Sequence, residues 1–208
     1  MEKDQSDIFY QRVFIGLFIL ATVPFVLLFL YNHPSPEDFY FSYEARIKSL
    51  WTNTKVQYRH GTGRYFQNFL LYLTPVYDKF FISYKAGCFL FMASFFSSVL
   101  LSVSLLTVKL ISFRERILIS LVIIFTYLYA MPEVSSGFYW YGGISAYHSG
   151  IILVPIFFAF LVKSGNSINS ASGLVYTFMA LIVLILITGV NEILAILLFL
   201  FTLFLNIR

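Results

Sequence analysis

Charge is scarce in this chain: Asp, Glu, Lys and Arg together make up 12% of its 208 residues, where a soluble domain of average composition carries roughly 25%. Cysteine is scarcer still. Cys88 has no second cysteine to pair with, and no Cys/His spacing builds a zinc site. The formal charge of +4 is not gathered into a dense basic stripe, which removes nucleic acid from the partners and suits contact with anionic lipid headgroups. Apolar residues fill the space: 59% of the chain is hydrophobic, with 25 Phe and 15 Tyr, and mean hydropathy is +0.81. Rings in such numbers populate membrane–water interfaces. The composition excludes a soluble globular domain and predicts an all-α, polytopic transmembrane helix bundle, a single membrane domain over 1–208.

Apolar runs at 13–31, 86–108, 117–131, 149–162, 174–188 and 193–207 predict six spans. The first is too long and has too mixed a leader for a signal peptide, so it reads as an uncleaved helix. The last two must be separate, because 174–207 as one helix would reach about 51 Å against a hydrocarbon core of about 30 Å. Gly189, Asn191 and Glu192 supply the break. Lys109, Arg114, Arg116, Lys163 and Arg208 fall on one side, while the short connections 132–147 and 190–192 hold no Lys or Arg. The positive-inside rule then puts the N-terminus in the cytoplasm and the long 32–85 loop outside.

That loop breaks the rule, since it carries Arg46, Lys48, Lys55, Arg59, Arg64, Lys79 and Lys85, and its length marks it as functional. Tyr43, Ile47, Leu50 and Trp51 recur at helical spacing with a Glu44–Lys48 pair on the polar side, predicting an interfacial amphipathic helix. A second helix begins near Arg64, with Arg64, Gln67, Asn68 and Thr74 as a narrow polar strip. The Gly61-Thr62-Gly63 turn joins the two.

Candidate chemistry gathers just past the first span, in His33-Pro34-Ser35-Pro36-Glu37-Asp38. Two adjacent carboxylates can ligate a divalent cation (Mg or Mn) or take a proton from a hydroxyl. Arg64 can fork onto a phosphate, with Tyr65 beside it. Asp38 also has a structural reading: Ser35-x-x-Asp38 is a capping-box pattern, with Pro36 at a favoured first helical position. A cap can still present a carboxylate, so both readings stand. Trp140 and His148, in the other connection on that side, are further binding candidates, because aromatic rings stack on sugar faces. An interfacial belt explains the aromatics equally, and local hydrogen bonding explains His148.

An acidic pair past the first span, an aromatic cluster and then Gly63-Arg64-Tyr65 leading into an apolar helix resembles the bacterial multi-pass membrane glycosyltransferases of the GT-C superfamily, near the O-antigen glucosyltransferases. The resemblance implies a bacterial inner (cell) membrane protein that moves a sugar from a lipid-linked, polyprenyl-phosphate donor to a cell-envelope glycan or lipid. It implies Asp38, with Glu37, as the acidic site and Arg64 as the phosphate contact. Six spans are fewer than such enzymes usually have, which suits a fragment or shortened member. A transporter or flippase, and a non-catalytic membrane subunit, are the competing classes. Nearly charge-free span interiors argue against the first, and the polar, aromatic loop against the second.

Overall fold

A computed structural model describes residues 2–76, 79–167 and 170–206, and these form helices joined by short connections, with no strand among them. In chain order the helices are α1 (Glu2–Leu28), α2 (Pro36–Ile47), α3 (Leu50–His60), α4 (Tyr65–Leu71), α5 (Ile82–Thr107), α6 (Phe113–Ala130), the single turn α7 (Tyr141–Gly143), α8 (Ser149–Gly165), α9 (Ala171–Thr188) and α10 (Glu192–Asn206). Two π-helical segments, Ser135–Tyr139 and Ile144–His148, flank α7. The protein is therefore all-helical.

Every predicted apolar run falls on a helix, but the runs are not equivalent. Four helical stretches are long and apolar enough to cross a membrane: Ile8–Tyr31, Ile82–Thr107, Tyr141–Gly165 and Ala171–Thr188. The helix α6 brings Arg114, Glu115 and Arg116 into its first turns, and the apolar part of α10 is shorter. The predicted run to 207 and the Arg208 used for orientation extend beyond the described residues. Cys88 is a buried free thiol.

The helix α5 is the axis of the bundle. Tyr84, Cys88, Met92, Phe95, Val99 and Val103 follow one another at steps of three and four along its buried face. They meet Ile124 and Leu128 of α6 and Phe138, Tyr141 and Ile144 of the π-helical region. Ser98 donates 2.5 Å to the Ile152 carbonyl of α8. Small hydroxyl residues of this kind let membrane helices approach and bond across. A second cluster joins Phe157 of α8 to Ala180, Val183 and Ile187 of α9 and Leu198 of α10. By contrast α1 turns Phe14, Leu17 and Leu20 outward, each more than half exposed. In lipid such a face is solvated by hydrocarbon.

The segment between α1 and α5 departs from its predicted shape. One amphipathic helix through Tyr43 and Trp51 is instead two, because Lys48 is extended and Ser49 caps α3, its side chain accepting from Thr52 N–H. The Glu44–Lys48 pair forms at 2.8 Å and ends α2 rather than bridging a continuous helix. Gly63 takes a positive φ of 71° in the turn before α4, where a side chain would be strained. The largest surprise is α4. Its predicted polar strip faces inward: Gln67, Asn68 and Thr74 are buried, while Tyr65 and Leu73 are exposed.

Candidate functional site

The end of the bundle where α1 finishes and α5 begins also gathers α2, α4, α7 and the α9–α10 break. Ser35 is the cap of α2. Its side chain accepts from Asp38 N–H, while Asp38 accepts from Ser35 N–H at 2.9 Å, which completes the capping box. Pro36 opens the helix as the sequence predicts. The sequence did not reveal how far Asp38 reaches. It is fully buried. Its Oδ2 also accepts from the Ser35 hydroxyl at 3.0 Å and the Tyr84 hydroxyl at 2.7 Å, and its Oδ1 accepts from Gly142 N–H at 3.2 Å. Tyr84 in turn accepts from Tyr141 N–H at 3.1 Å. One carboxylate thus holds α2, α5 and α7 together, and four donors stabilise its charge out of solvent.

Glu37, one residue earlier, points elsewhere. It is exposed and lines a polar cavity of about 220 Å³. Gln57, Thr62, Arg64, Gln67 and Asn68 line this cavity together with Trp140, Gly142 and Tyr147, and Phe41, Leu71 and Ala146 complete it. The structure therefore divides the acidic pair: Asp38 organises the wall and Glu37 faces the space. Two buried N–H groups on the lining residues, Asn68 Nδ2 and Trp140 Nε1, have no hydrogen-bond partner. Buried donors are nearly always satisfied, and both of these belong to residues of the cavity lining while being themselves closed off from solvent. The Thr62 hydroxyl donates to Asn68 Oδ1 at 3.2 Å, which leaves the amide N–H₂ as the free end of that side chain.

Arg64 is part of the cavity wall. Its Nε and Nη2 each donate to Glu192 at 2.6 Å, a two-pronged pair joining α4 to the start of α10. The hydrogen bond to Glu192 raises the Arg64 pKa above its already high ordinary value, so the guanidinium stays charged. Asn191 is the cap here, its Oδ1 accepting from Ile193 N–H at 2.9 Å, which frees Glu192 for the ion pair. The α9–α10 break falls where the sequence put it. It is sealed from outside, with Phe66 and Gln67 N–H donating to the Gly189 carbonyl at 2.9 and 3.0 Å. The Tyr65 ring lies over Gly189 so closely that any Cβ there would overlap it. The Tyr65 hydroxyl bonds the Ile185 carbonyl and Thr188.

The remaining predicted residues separate from this cavity. Tyr65 is spent on the α9 terminus. His33 is exposed and meets Phe81 edge-to-face, with ring centroids 6.1 Å apart. His148 is buried within the bundle, its Nδ1 3.4 Å from the Tyr127 hydroxyl and its ring against Phe138. Trp140 does line the cavity. Gln57 and Tyr147 were not singled out from sequence, although the polar strip on α4 was a usable signal for Gln67 and Asn68. A divalent cation fits poorly. Both Asp38 oxygens are engaged by hydrogen-bond donors, and no group of three or more His, Cys, Asp or Glu stands together among the described residues. Comparison with known proteins finds no family model, curated protein or solved structure that matches the chain.

Proposed function

We propose that this multi-pass membrane protein is a glycosyltransferase that moves a sugar from a polyprenyl-phosphate-linked donor onto a cell-envelope glycan or lipid. The observation that carries the reading is the polar cavity: one exposed carboxylate, one guanidinium and the side-chain amides of Gln57, Gln67 and Asn68 around about 220 Å³, beside an aromatic ring. Oxygen-rich sugars satisfy such donors, and Trp140 offers a face on which a sugar ring stacks. Glu37 is the base. It takes the proton of the acceptor hydroxyl as that oxygen bonds to the anomeric carbon, and the bond from that carbon to the phosphate oxygen breaks with its electron pair leaving on phosphate. Arg64 stabilises the departing charge. Asp38 is a positioning residue, fixing the start of α2 and the Gly142 backbone. No step requires a metal.

The test is sugar transfer by purified protein. Glu37→Gln should insert and accumulate normally yet lose about 10²- to 10⁴-fold in rate, the usual scale for a general base. Full transfer by that variant would end the assignment.

The same reading includes six spans, with α6 and α10 also crossing, in a bacterial cell membrane with the N-terminus cytoplasmic and the cavity at the outer face. Its support is the basic cluster Lys109, Arg114, Arg116 at the opposite end of the bundle. Reporter fusions after Tyr58 and Gly142 should read external and one after Ser112 cytoplasmic. The inverse pattern would place the cavity on the wrong side for an envelope acceptor.

A further inference from the structure

The polar cavity shares one wall residue, Tyr147, with an apolar groove. This groove of about 280 Å³ runs between α8 and α10, lined by Tyr147, Ile151, Asn191, Ile193, Leu194 and Leu197. Next to Asn191 stands Glu192, whose carboxylate fills the fork of Arg64. The pair is unevenly placed: the Arg64 side chain is 20% exposed and Glu192 58%. The cation is therefore part of the cavity wall, and its counter-ion is the more exposed partner, between the groove residues Asn191 and Ile193 in the chain.

We propose that Glu192 is a displaceable counter-ion that reserves Arg64 for the phosphate of an amphiphile whose hydrocarbon chain lies in the α8–α10 groove. Carboxylate and phosphate compete for the same planar pair of N–H donors, and a phosphate ester brings more acceptor oxygens and at least equal charge. The two-pronged pair holds the guanidinium in one orientation in the empty state, and Glu192, being exposed, is rehydrated when it leaves. A neutral amphiphile has nothing to exchange with Glu192 and leaves the clasp closed. Selectivity for the phosphate then comes from the competitor as well as from the cation. The chain enters from the lipid side, where Ile193 and Leu197 are more than half exposed. Substrate identity rests on the transferase reading, but the exchange itself is a binding property and is tested without transfer.

The measurement is calorimetric titration of full-length protein in phosphatidylcholine nanodiscs with farnesyl phosphate, farnesol or inorganic phosphate. Farnesyl phosphate should bind at least about ten-fold more tightly than either half alone, because the linked parts share one ordering cost. Glu192→Gln keeps a hydrogen-bonding partner for Arg64 and removes the competing charge. It should tighten farnesyl phosphate by about five-fold or more and leave farnesol unchanged. Glu192→Asp, which keeps the charge but shortens the reach, should tighten it less. Arg64→Lys should weaken farnesyl phosphate by about ten-fold or more, since an ammonium lacks the fork. Leu194→Trp, filling the groove, should weaken farnesyl phosphate but not inorganic phosphate. If neither Glu192 variant tightens farnesyl phosphate, the clasp is structural and the proposal is overturned. If inorganic phosphate binds as well as farnesyl phosphate, the groove takes no chain and the proposal is likewise overturned. Transfer activity without this pattern would sink the counter-ion alone. This pattern without transfer would sink the glycosyltransferase reading alone.

Discussion

The two ends of the bundle each begin a helix with the same local device and use it differently. At one end Ser112 and Glu115 form a capping box for α6, with Glu115 accepting from Ser112 N–H at 2.7 Å and from its hydroxyl at 2.8 Å, all at the surface. At the other, Ser35 and Asp38 form a capping box for α2, but Asp38 is fully buried and also holds Tyr84 and Gly142. The motif fixes where a helix starts and says nothing about what else the carboxylate does. Tertiary placement decides that. Around Ser112 the neighbours in the chain are Lys109, Arg114 and Arg116. Around Asp38 the loop helices close over the polar cavity.

Removing each carboxylate breaks this comparison most directly. Asp38→Ala leaves the Gly142 and Ser35 N–H donors without this acceptor and Tyr84 with the Tyr139 carbonyl at 3.4 Å, and should cost about 3–5 kcal/mol, a lost cap together with buried donors left unsatisfied at about 1–3 kcal/mol each. A cap alone is worth about 0.5–2 kcal/mol. Asp38→Asn should lie between wild type and Asp38→Ala, since it retains one acceptor oxygen. Glu115→Ala should lose little beside it. Denaturant unfolding in detergent micelles gives the order. Equal effects at the two sites would mean that Asp38 is a cap and nothing more, and the wall of the cavity would need another organiser.

Local chemistry was readable from the residues and distant pairing was not. The capping box at Ser35, the Glu44–Lys48 pair and the chain break at Gly189 all rest on neighbours within a few positions, and all appear. Apolar length predicted a helix at each of the six runs, because backbone in a membrane must satisfy its own hydrogen bonds. The single helix through Tyr43 and Trp51 failed for a local reason. Apolar spacing continued across Lys48 and Ser49, but Ser49 prefers to cap, and its bond to Thr52 N–H restarts the helix. Contacts such as Asp38 with Gly142 and Arg64 with Glu192 join residues 104 and 128 positions apart. No pattern in one sequence specifies such pairs; they exist because α5, α8 and α10 bring their ends together. The two π-helical segments around α7 have no sequence signal that periodicity detects.

A finer contrast separates α4 from α5. The inner face of α5 is apolar, with hydroxyls that find acceptors, as Ser98 finds Ile152 and Ser102 finds the Ser98 carbonyl at 2.7 Å. The inner face of α4 is polar, and Asn68 is fully buried with its Nδ2 unpartnered. A fold selected for stability alone would not keep that amide, because a buried donor without an acceptor costs about 1–3 kcal/mol. Asn68→Leu has nearly the same volume and removes the unsatisfied group, at the loss of the Thr62 bond to Asn68 Oδ1, a net contribution of about 0.5–1.5 kcal/mol. These terms oppose, so stability should stay within about 1 kcal/mol of wild type or rise. Binding should not follow stability. Asn68 belongs to the cavity wall, so the change replaces an amide there with hydrocarbon, and farnesyl phosphate bearing a sugar should bind at least about ten-fold more weakly. Farnesyl phosphate without the sugar should be nearly unaffected, because its phosphate and chain are held by Arg64 and the α8–α10 groove. A large stability loss with unchanged sugar dependence would make Asn68 a structural residue like Ser98. The polar interior of α4 would then serve the fold rather than a ligand.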